Sequence, residues 1–312
     1  MLILITHFIL SGISLMWCGA VQAAPGGGLI ADGTAGTQVT QFGQTFVIEG
    51  GTTRGGNLLH SFQEFNVETG QTADFQAPHD TKHIISRVTG ANDSWIDGKI
   101  HSYTSQADMY LVNPNGVIFG KNVILQVQDA FHVSTADYVT LADGNRVYAD
   151  PDQGVTLTVA APESFGFLDA EIAPIRLEGS KLELDQRIDL GMLAISVVGG
   201  EITLQSGTEL VSPIRPASIQ IAGVAAVGEI PISPTGIATS TPSRLAPVTI
   251  EGSVLSVPAG QEDGYLSVIG DQVNIRDSKL SSVDGPFGRG KSHINLQAQT
   301  QLKLTRTLVD AR

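Results

Sequence analysis

Charge is scarce in this sequence. Lys, Arg, Asp and Glu supply 16% of its 312 residues, against about a quarter in an average soluble protein. A coiled coil, a charged helical bundle and a charge-rich disordered tail are excluded on that ground. Cysteine is nearly absent: Cys18 stands alone, so no intramolecular disulfide and no cysteine-built zinc site can form. Basic residues are outnumbered, 18 Lys and Arg against 31 Asp and Glu, for a net charge of −13. A surface of that sign repels phosphate backbones, and no nucleic-acid partner is expected. Past Pro25, no window of about a dozen residues carries a helical apolar period. What is plentiful is glycine, 35 residues, beside 42% apolar side chains.

Residues 1–23 contain no Lys, Arg, Asp or Glu, and end in small residues with Val21 and Ala23 ahead of Ala24. Interrupted by Ser11, Gly12 and Ser14, the apolar run reads as a secretory signal peptide and not as a membrane span. It departs from the usual pattern in having no basic residue at its start. The bulky Trp17 before Cys18 argues against a lipid-anchored cysteine. The competing reading is a buried first strand or helix of a cytosolic domain. The expectation is export, with a mature chain that holds no cysteine.

Beyond Pro25 short β-like runs alternate with Gly, Asn, Asp and Pro, as in residues 44–49 (QTFVIE), 84–88 (IISRV), 109–112 (MYLV), 155–159 (VTLTV), 201–204 (EITL) and 266–269 (LSVI). This signals an all-β architecture. Residues 127–136 are the nearest approach to a helix and fit a strand equally well. The distal half is quasi-repetitive. Leu193 and Ile195 are followed by Ile202 and Leu204, then Leu210. Leu266 and Val268 lead to Val273 and Ile275, then Leu280, while Ile294 and Leu296 lead to Leu302 and Leu304, then Leu308. Each triplet points two apolar side chains to one face of a short strand, and each polar corner turns the chain. Stacked turns of that kind make a parallel β-helix filled by Leu, Ile and Val. A sandwich or barrel would alternate too, without the recurring triplet-and-corner spacing. Residues 212–248 concentrate Pro, Ser and Thr, so part of that stretch is expected to leave the coil. Residues 302–312 stop in mid-pattern with no capping signal, and further coils are expected beyond them.

Asn113-Pro114-Asn115-Gly116 lies between two apolar runs. Physically it is a turn: Pro114 fixes φ, Asn115 tolerates the third position and Gly116 accepts a positive φ. Its company adds information. Asn57-Leu58-Leu59-His60-Ser61-Phe62-Gln63-Glu64-Phe65-Asn66-Val67, then Ser86-Arg87-Val88-Thr89-Gly90, Ile96-Asp97-Gly98 and the run from Leu111 to Gly120 keep order and spacing over more than a hundred residues. In these blocks the chain resembles the filamentous haemagglutinin N-terminal family, the secretion domains of two-partner-secretion exoproteins.

The resemblance implies an all-β, right-handed parallel β-helix with an N-terminal cap. It implies a signal peptide over 1–23, a secretion domain over 24–170, and continuing coils over 171–312 with an excursion near 212–248. The partner it implies is a TpsB-type outer-membrane β-barrel transporter that reads the domain through periplasmic POTRA domains. Asn113, Pro114, Asn115 and Gly116 take the place of the family's NPNG motif, which the resemblance ties to export and folding. A second family motif, NPN-Leu, is missing, and Ala77-Pro78-His79-Asp80 stands there. The full-length exoprotein would be a haemagglutinin-like surface adhesin with a glycan or protein receptor on host cell or matrix. No cofactor and no metal is expected.

The rival reading is a secreted carbohydrate-active enzyme, because parallel β-helices also host lyases and glycosidases. Asp271, Asp277 and Asp284, with Lys279 and Arg289, are the residues it would use, yet they sit beside Gly and Ser as solvated corners do. His79 and His83 form the one close histidine pair, without a His-Glu-x-x-His frame. Gly26-Gly27-Gly28 lacks the strand-to-helix context of a phosphate loop. Trp95, Phe62, Phe65 and Phe75 are expected in core or cap packing, with a sugar-stacking platform as the alternative.

Overall fold

The computed structural model describes residues 28–102, 107–127, 129–154, 156–183, 193–212, 217–232, 243–259, 263–284 and 290–312. The signal-like segment, with Cys18, lies outside them, as does Arg289. Short strands wind into a parallel β-helix. One face stacks Asn57–Phe65, His83–Val88, Asp108–Val112, Phe131–Ser134, Leu193–Gly199, Ala217–Gly223, Gly264–Arg276 and Ser292–Thr305, each paired in parallel with the next. That ladder counts about eight turns. A second face stacks Ser94–Ile96, Val117–Phe119, Ile175–Glu178, Ile202–Gln205 and Val248–Glu251, and the two longest strands bend round to extend it. The third face comes in two blocks. Thr45–Gly50, Thr72–Phe75, Lys99–Ser102 and Ile124–Gln126 serve the early turns; Lys181–Glu183, Glu209–Val211, Val254–Ala259, Lys279–Asp284 and Leu308–Ala311 serve the later ones.

Register places like over like. Leu58, Ile84, Met109, Phe131, Ile195, Ile219 and Leu266 form one continuous inward row, all buried. The triplet-and-corner pattern is therefore the interior of the solenoid: Ile202, Leu204, Leu210, Val273, Ile275 and Leu280 are buried in the same core. One triplet slips. Leu308 pairs with Lys279, and Val309 takes the register of Leu280, because with Leu304 over Ile275 the same step that leads from Ile275 to Leu280 ends on Val309. Two other expectations are refined. Residues 127–136 contribute the strand Phe131–Ser134, not a helix. Of the run 155–159, whose alternation predicts a strand, residues 156–159 form none and Val155 lies outside the described residues; the carbonyls of Thr158 and Ala160 are taken instead by the Asn57 side chain at 2.9 and 2.6 Å.

A cap closes the first turn. Leu29–Ala31 and Thr52–Arg54 run antiparallel along the otherwise bare edge of Asn57–Phe65, and the hairpin of Thr37–Phe42 with Thr45–Gly50 extends the third face. Leu29, Phe46 and Ile48 seal the core there, over an edge-to-face cluster in which the Phe62 and Phe65 rings stand 5.1 Å apart. Capping removes the edge on which another chain could pair. Trp95 is half-buried on the second face, in register with Ile118, and is not part of the cluster.

After Ser134 the chain leaves the solenoid and returns at Ile175. The excursion supplies Tyr138–Leu141, Arg146–Tyr148 and Pro162–Phe167, and Gly228–Pro231 joins as a fourth strand of the same antiparallel sheet. Of the Pro-, Ser- and Thr-rich stretch, Ala217–Gly223 stays in the coil as a buried strand, Gly228–Pro231 leaves it, and 233–242 lies outside the described residues. The sheet lies over the outward side of the first face. Val139, Leu141, Val147, Phe165, Phe167 and Ile230 meet Leu59, Ile85, Tyr110, Val112, Val198 and Ala222 in a second core. Gly166 is required here, because the Tyr138 ring lies 2.0 Å from where a Cβ would stand. On the far side of the sheet, Glu229 accepts from Tyr138, Thr140, Arg146 and Ser164.

Two histidines are sealed in by these coverings. His60 points into the first turn among Phe62 and Phe75. His132 stacks on Tyr110 at 4.6 Å and is 2.9 Å from Ser196 Oγ. Burial pushes both imidazoles down to about 4, the His132 shift being opposed in part by Asp108. Unfolded, each takes up a proton near pH 6.5, while the folded chain refuses it. Stability is then fully present above pH 6.5 and falls as pH drops toward 4, by on the order of 3 kcal/mol for each histidine. Urea unfolding across that window should show the midpoint falling, and His132→Gln should flatten the profile. A midpoint level from pH 6.5 to 4 would contradict the sealed-histidine account.

Candidate functional site

The Asn113–Gly116 turn joins Asp108–Val112 to Val117–Phe119, passing from the first face to the second in the third turn. Asn113 is fully buried. Its Nδ2 donates to Asn92 O and to Ser94 Oγ, both at 3.0 Å, in the turn before. Its Oδ1 accepts from Asn115 N at 3.0 Å, a local Asx turn. Its backbone N–H donates to Ser134 O at 3.0 Å, in the turn after. One side chain and one backbone N–H thus tie three successive turns at a corner. Asparagine suits the place because a single amide offers donors and an acceptor at right distances for both jobs. Gly116 closes the turn with its N–H 3.1 Å from Asn113 O and φ of 122°, and a Cβ there would press on Pro174 O and on Asp93.

The other two residues of the motif face outward. Asn115 is exposed and donates from Nδ2 to Gly90 O at 2.7 Å. Pro114 and Asn115 form one wall of a cleft of about 440 Å³, whose other walls include Gly90, Asp137, Asp150 and Asp169. Burial and the nearby Asp169 push the Asp137 carboxyl up, against the lowering effect of the Leu168 N–H it accepts. The motif therefore divides: Asn113 and Gly116 build the corner, and Pro114 and Asn115 present it beside a carboxylate-lined cleft.

Asn66, Asp97 and Gly120 stand in the family blocks, but sequence reasoning gave them no role at the corners. Asn66 is buried at the same corner two turns earlier, accepting from Trp95 N at 2.8 Å. Asp97 is buried at the next corner, accepting from Asn122 N at 2.8 Å and from Thr69 and Asn122 side chains. Gly120 fits only as glycine because Asp97 Oδ1 stands 2.2 Å from where its Cβ would be. The available signal was an asparagine or aspartate at the end of an apolar run.

Of the residues of the rival enzymatic reading, Arg289 lies outside the described residues. Asp277 makes exposed ion pairs with Arg306 and Arg276. Lys279 is exposed on its strand. His79 is exposed while His83 turns to Asp108 Oδ2 at 3.4 Å. Among the described residues, no group of three His, Cys, Asp or Glu is placed to hold a metal ion.

The sequence profile of the TPS secretion domain matches residues 27–241. The chain belongs to the TPS secretion domain family. It is 25% identical over 166 residues to the heme/hemopexin-binding protein of Haemophilus influenzae, a match covering 52% of this chain and 17% of that protein. Among solved structures it is similar to the HMW1 secretion domain of Haemophilus influenzae, at 14% identity and TM-score 0.49, covering 91% of this chain and 82% of that one. The filamentous hemagglutinin secretion domain gives 16% identity and TM-score 0.49, with 90% and 100% covered.

For a TPS secretion domain, the corner at Asn113 is a folding element with a testable weight. Asn113→Ala removes the donor to the buried Ser94 hydroxyl and to the Asn92 carbonyl and should cost about 1–3 kcal/mol, whereas Asn115→Ala should cost less than about 1 kcal/mol. Chemical denaturation of the two variants reads the difference. Equal losses would mean that the corner is not locked by the buried asparagine.

Proposed function

We propose that the work of this chain, the secretion domain of a two-partner-secretion exoprotein, is to be read by the POTRA domains of a TpsB-type outer-membrane transporter and then to nucleate the β-helix as the chain emerges. The family match over residues 27–241 carries this reading. The structure supports it with a divided motif, in which Asn113 fixes the coil while Pro114 and Asn115 stand beside the carboxylates of Asp137, Asp150 and Asp169. A carboxylate-lined cleft on a chain of net charge −13 suits a basic surface on the transporter. A solenoid grows by contacts between neighbouring turns, so folding outside the membrane draws the thread outward without nucleotide hydrolysis. An unfolded thread must carry no disulfide, and a chain whose one cysteine is in the signal segment meets that requirement.

The further parts of the reading follow from the same family. Residues 1–23 direct the chain through the inner membrane, and the exoprotein ends secreted or on the cell surface. Among the described residues no helix is long and apolar enough to cross a membrane. The exoprotein acts as a haemagglutinin-like adhesin toward a glycan or protein receptor on host cell or matrix, and the secretion domain itself performs no catalysis. Because the match spans 17% of the heme/hemopexin-binding protein, that protein's ligand is not assigned to this domain.

Export of the full chain with its paired transporter present or deleted, followed by an epitope tag in medium and periplasm, tests the proposal. Wild type should reach the medium only with the transporter. Asn113→Ala should stall in the periplasm, and Asn115→Ala should lose export while folding normally. Export indifferent to the transporter would leave the Asn113–Gly116 turn as a bare corner and favour a self-sufficient secreted β-helix, of the carbohydrate-active kind.

A further inference from the structure

Arg87 is an unusual residue to find where it is. It lies on the outward side of His83–Val88, is 2% exposed, and is covered by the cap on one side and the excursion on the other. A guanidinium taken out of water normally meets a carboxylate directly. Here all three direct acceptors are uncharged: Ser61 Oγ at 2.7 Å from Nε, Tyr148 O at 2.7 Å from Nη1 and Thr34 Oγ1 at 2.8 Å from Nη2. Asp32 compensates only at one remove. Its carboxylate accepts from the same Ser61 hydroxyl at 2.6 Å and the same Thr34 hydroxyl at 2.9 Å. Burial lowers the Arg87 pKa more than Asp32 and Asp150 together raise it. The guanidinium has five N–H groups, and these acceptors take three of them.

Arg87 lines a cavity of about 250 Å³ between cap and excursion, together with Arg54, Thr34, Thr52 and Thr156. Arg54 is exposed on the rim, and its Nη1 donates to the neighbouring Thr53 O. Two arginines and Thr156 therefore line one space, in a chain where acidic residues outnumber basic ones, while the Thr34 and Thr52 hydroxyls on its wall donate to Asp32 and to Ala35 O.

We propose that this cleft binds a small oxyanion of the phosphate type, held between Arg87 and Arg54 with the Thr156 hydroxyl as a further donor. Tetrahedral oxyanions are what forked guanidinium donors bind best, and the cavity is large enough for one with its waters. The walls come from residues 34, 35, 52, 54, 59, 87, 156 and 157, so a bound anion clamps the cap, the first two turns and the excursion together. A ligand of that kind stabilises the folded domain by mass action.

The full chain, freed of phosphate, is titrated with sodium phosphate at ionic strength held constant with sodium chloride, and followed by thermal unfolding and calorimetry. Phosphate should bind saturably and raise Tm. Arg54→Gln, on the exposed rim, should fold normally and bind about tenfold more weakly, the loss expected for one charge-assisted donor pair. Arg87→Lys keeps the charge and loses the fork, and should weaken binding at least as much; if it does not fold, the rim variant still decides. Equal stabilisation by chloride, or an affinity unchanged by Arg54→Gln, overturns the site.

Discussion

Every other feature of this domain depends on ladders that run the length of the solenoid. A strand in a parallel β-helix has the same neighbour relation above and below, so an apolar rung must lie over an apolar rung without a break. The row from Leu58 to Leu266 satisfies that demand through seven turns, with no polar side chain interposed. Such a row fixes register, because a one-residue slip would turn the whole interior outward. It does not fix the corners. Those are set by short polar side chains that hydrogen-bond the backbone of adjacent turns: Asn66, Asp97, Asn113.

The ends and the outside of the ladder need separate solutions. At the amino end, antiparallel strands occupy the bare edge and phenylalanines plug the core. On the outward side of the first face, a four-stranded sheet turns what would be a solvent surface into a second core. The two solutions are stitched together. Asn57 reaches Thr158 and Ala160, 101 and 103 residues on, and Arg87 joins Thr34 to Tyr148 across the second turn. A solenoid is ordinarily a succession of nearest-neighbour contacts that can form as the chain appears. This one holds its first two turns to a segment around residue 160, so its amino-terminal nucleus is complete only once that much chain is available. That is a physical reason for a secretion domain to be a unit larger than a few coils.

The family blocks acquire different physical meanings once folded. In Asn57–Val67, Leu58 and Phe62 fill the core, Asn57 clasps the excursion and Asn66 shapes a corner. In Ser86–Gly90, Arg87 is the anchor between cap and excursion, and Gly90 supplies the carbonyl that Asn115 takes. Glycine does similar work at Gly98, where a Cβ would fall within 2.4 Å of Glu68 O. The blocks are thus points where one turn meets another.

Residue order alone carries the class of fold and the inward rows. Each depends on residues a few positions apart, and the two-residue period of a strand is visible in Ile202-Thr203-Leu204 without any partner. It also marked Asn113–Gly116 as a turn for the same local reason. Only the tertiary structure decided which strands leave the coil, that residues 156–160 are pinned and not paired, and that Val309 replaces Leu308 in its row. It alone separated a buried Asn113 from an exposed Asn115, and it alone placed Arg87 and Arg54 on one cleft. These outcomes rest on contacts between residues tens to a hundred positions apart, and the alternation of a short run carries no information about what will lie across from it.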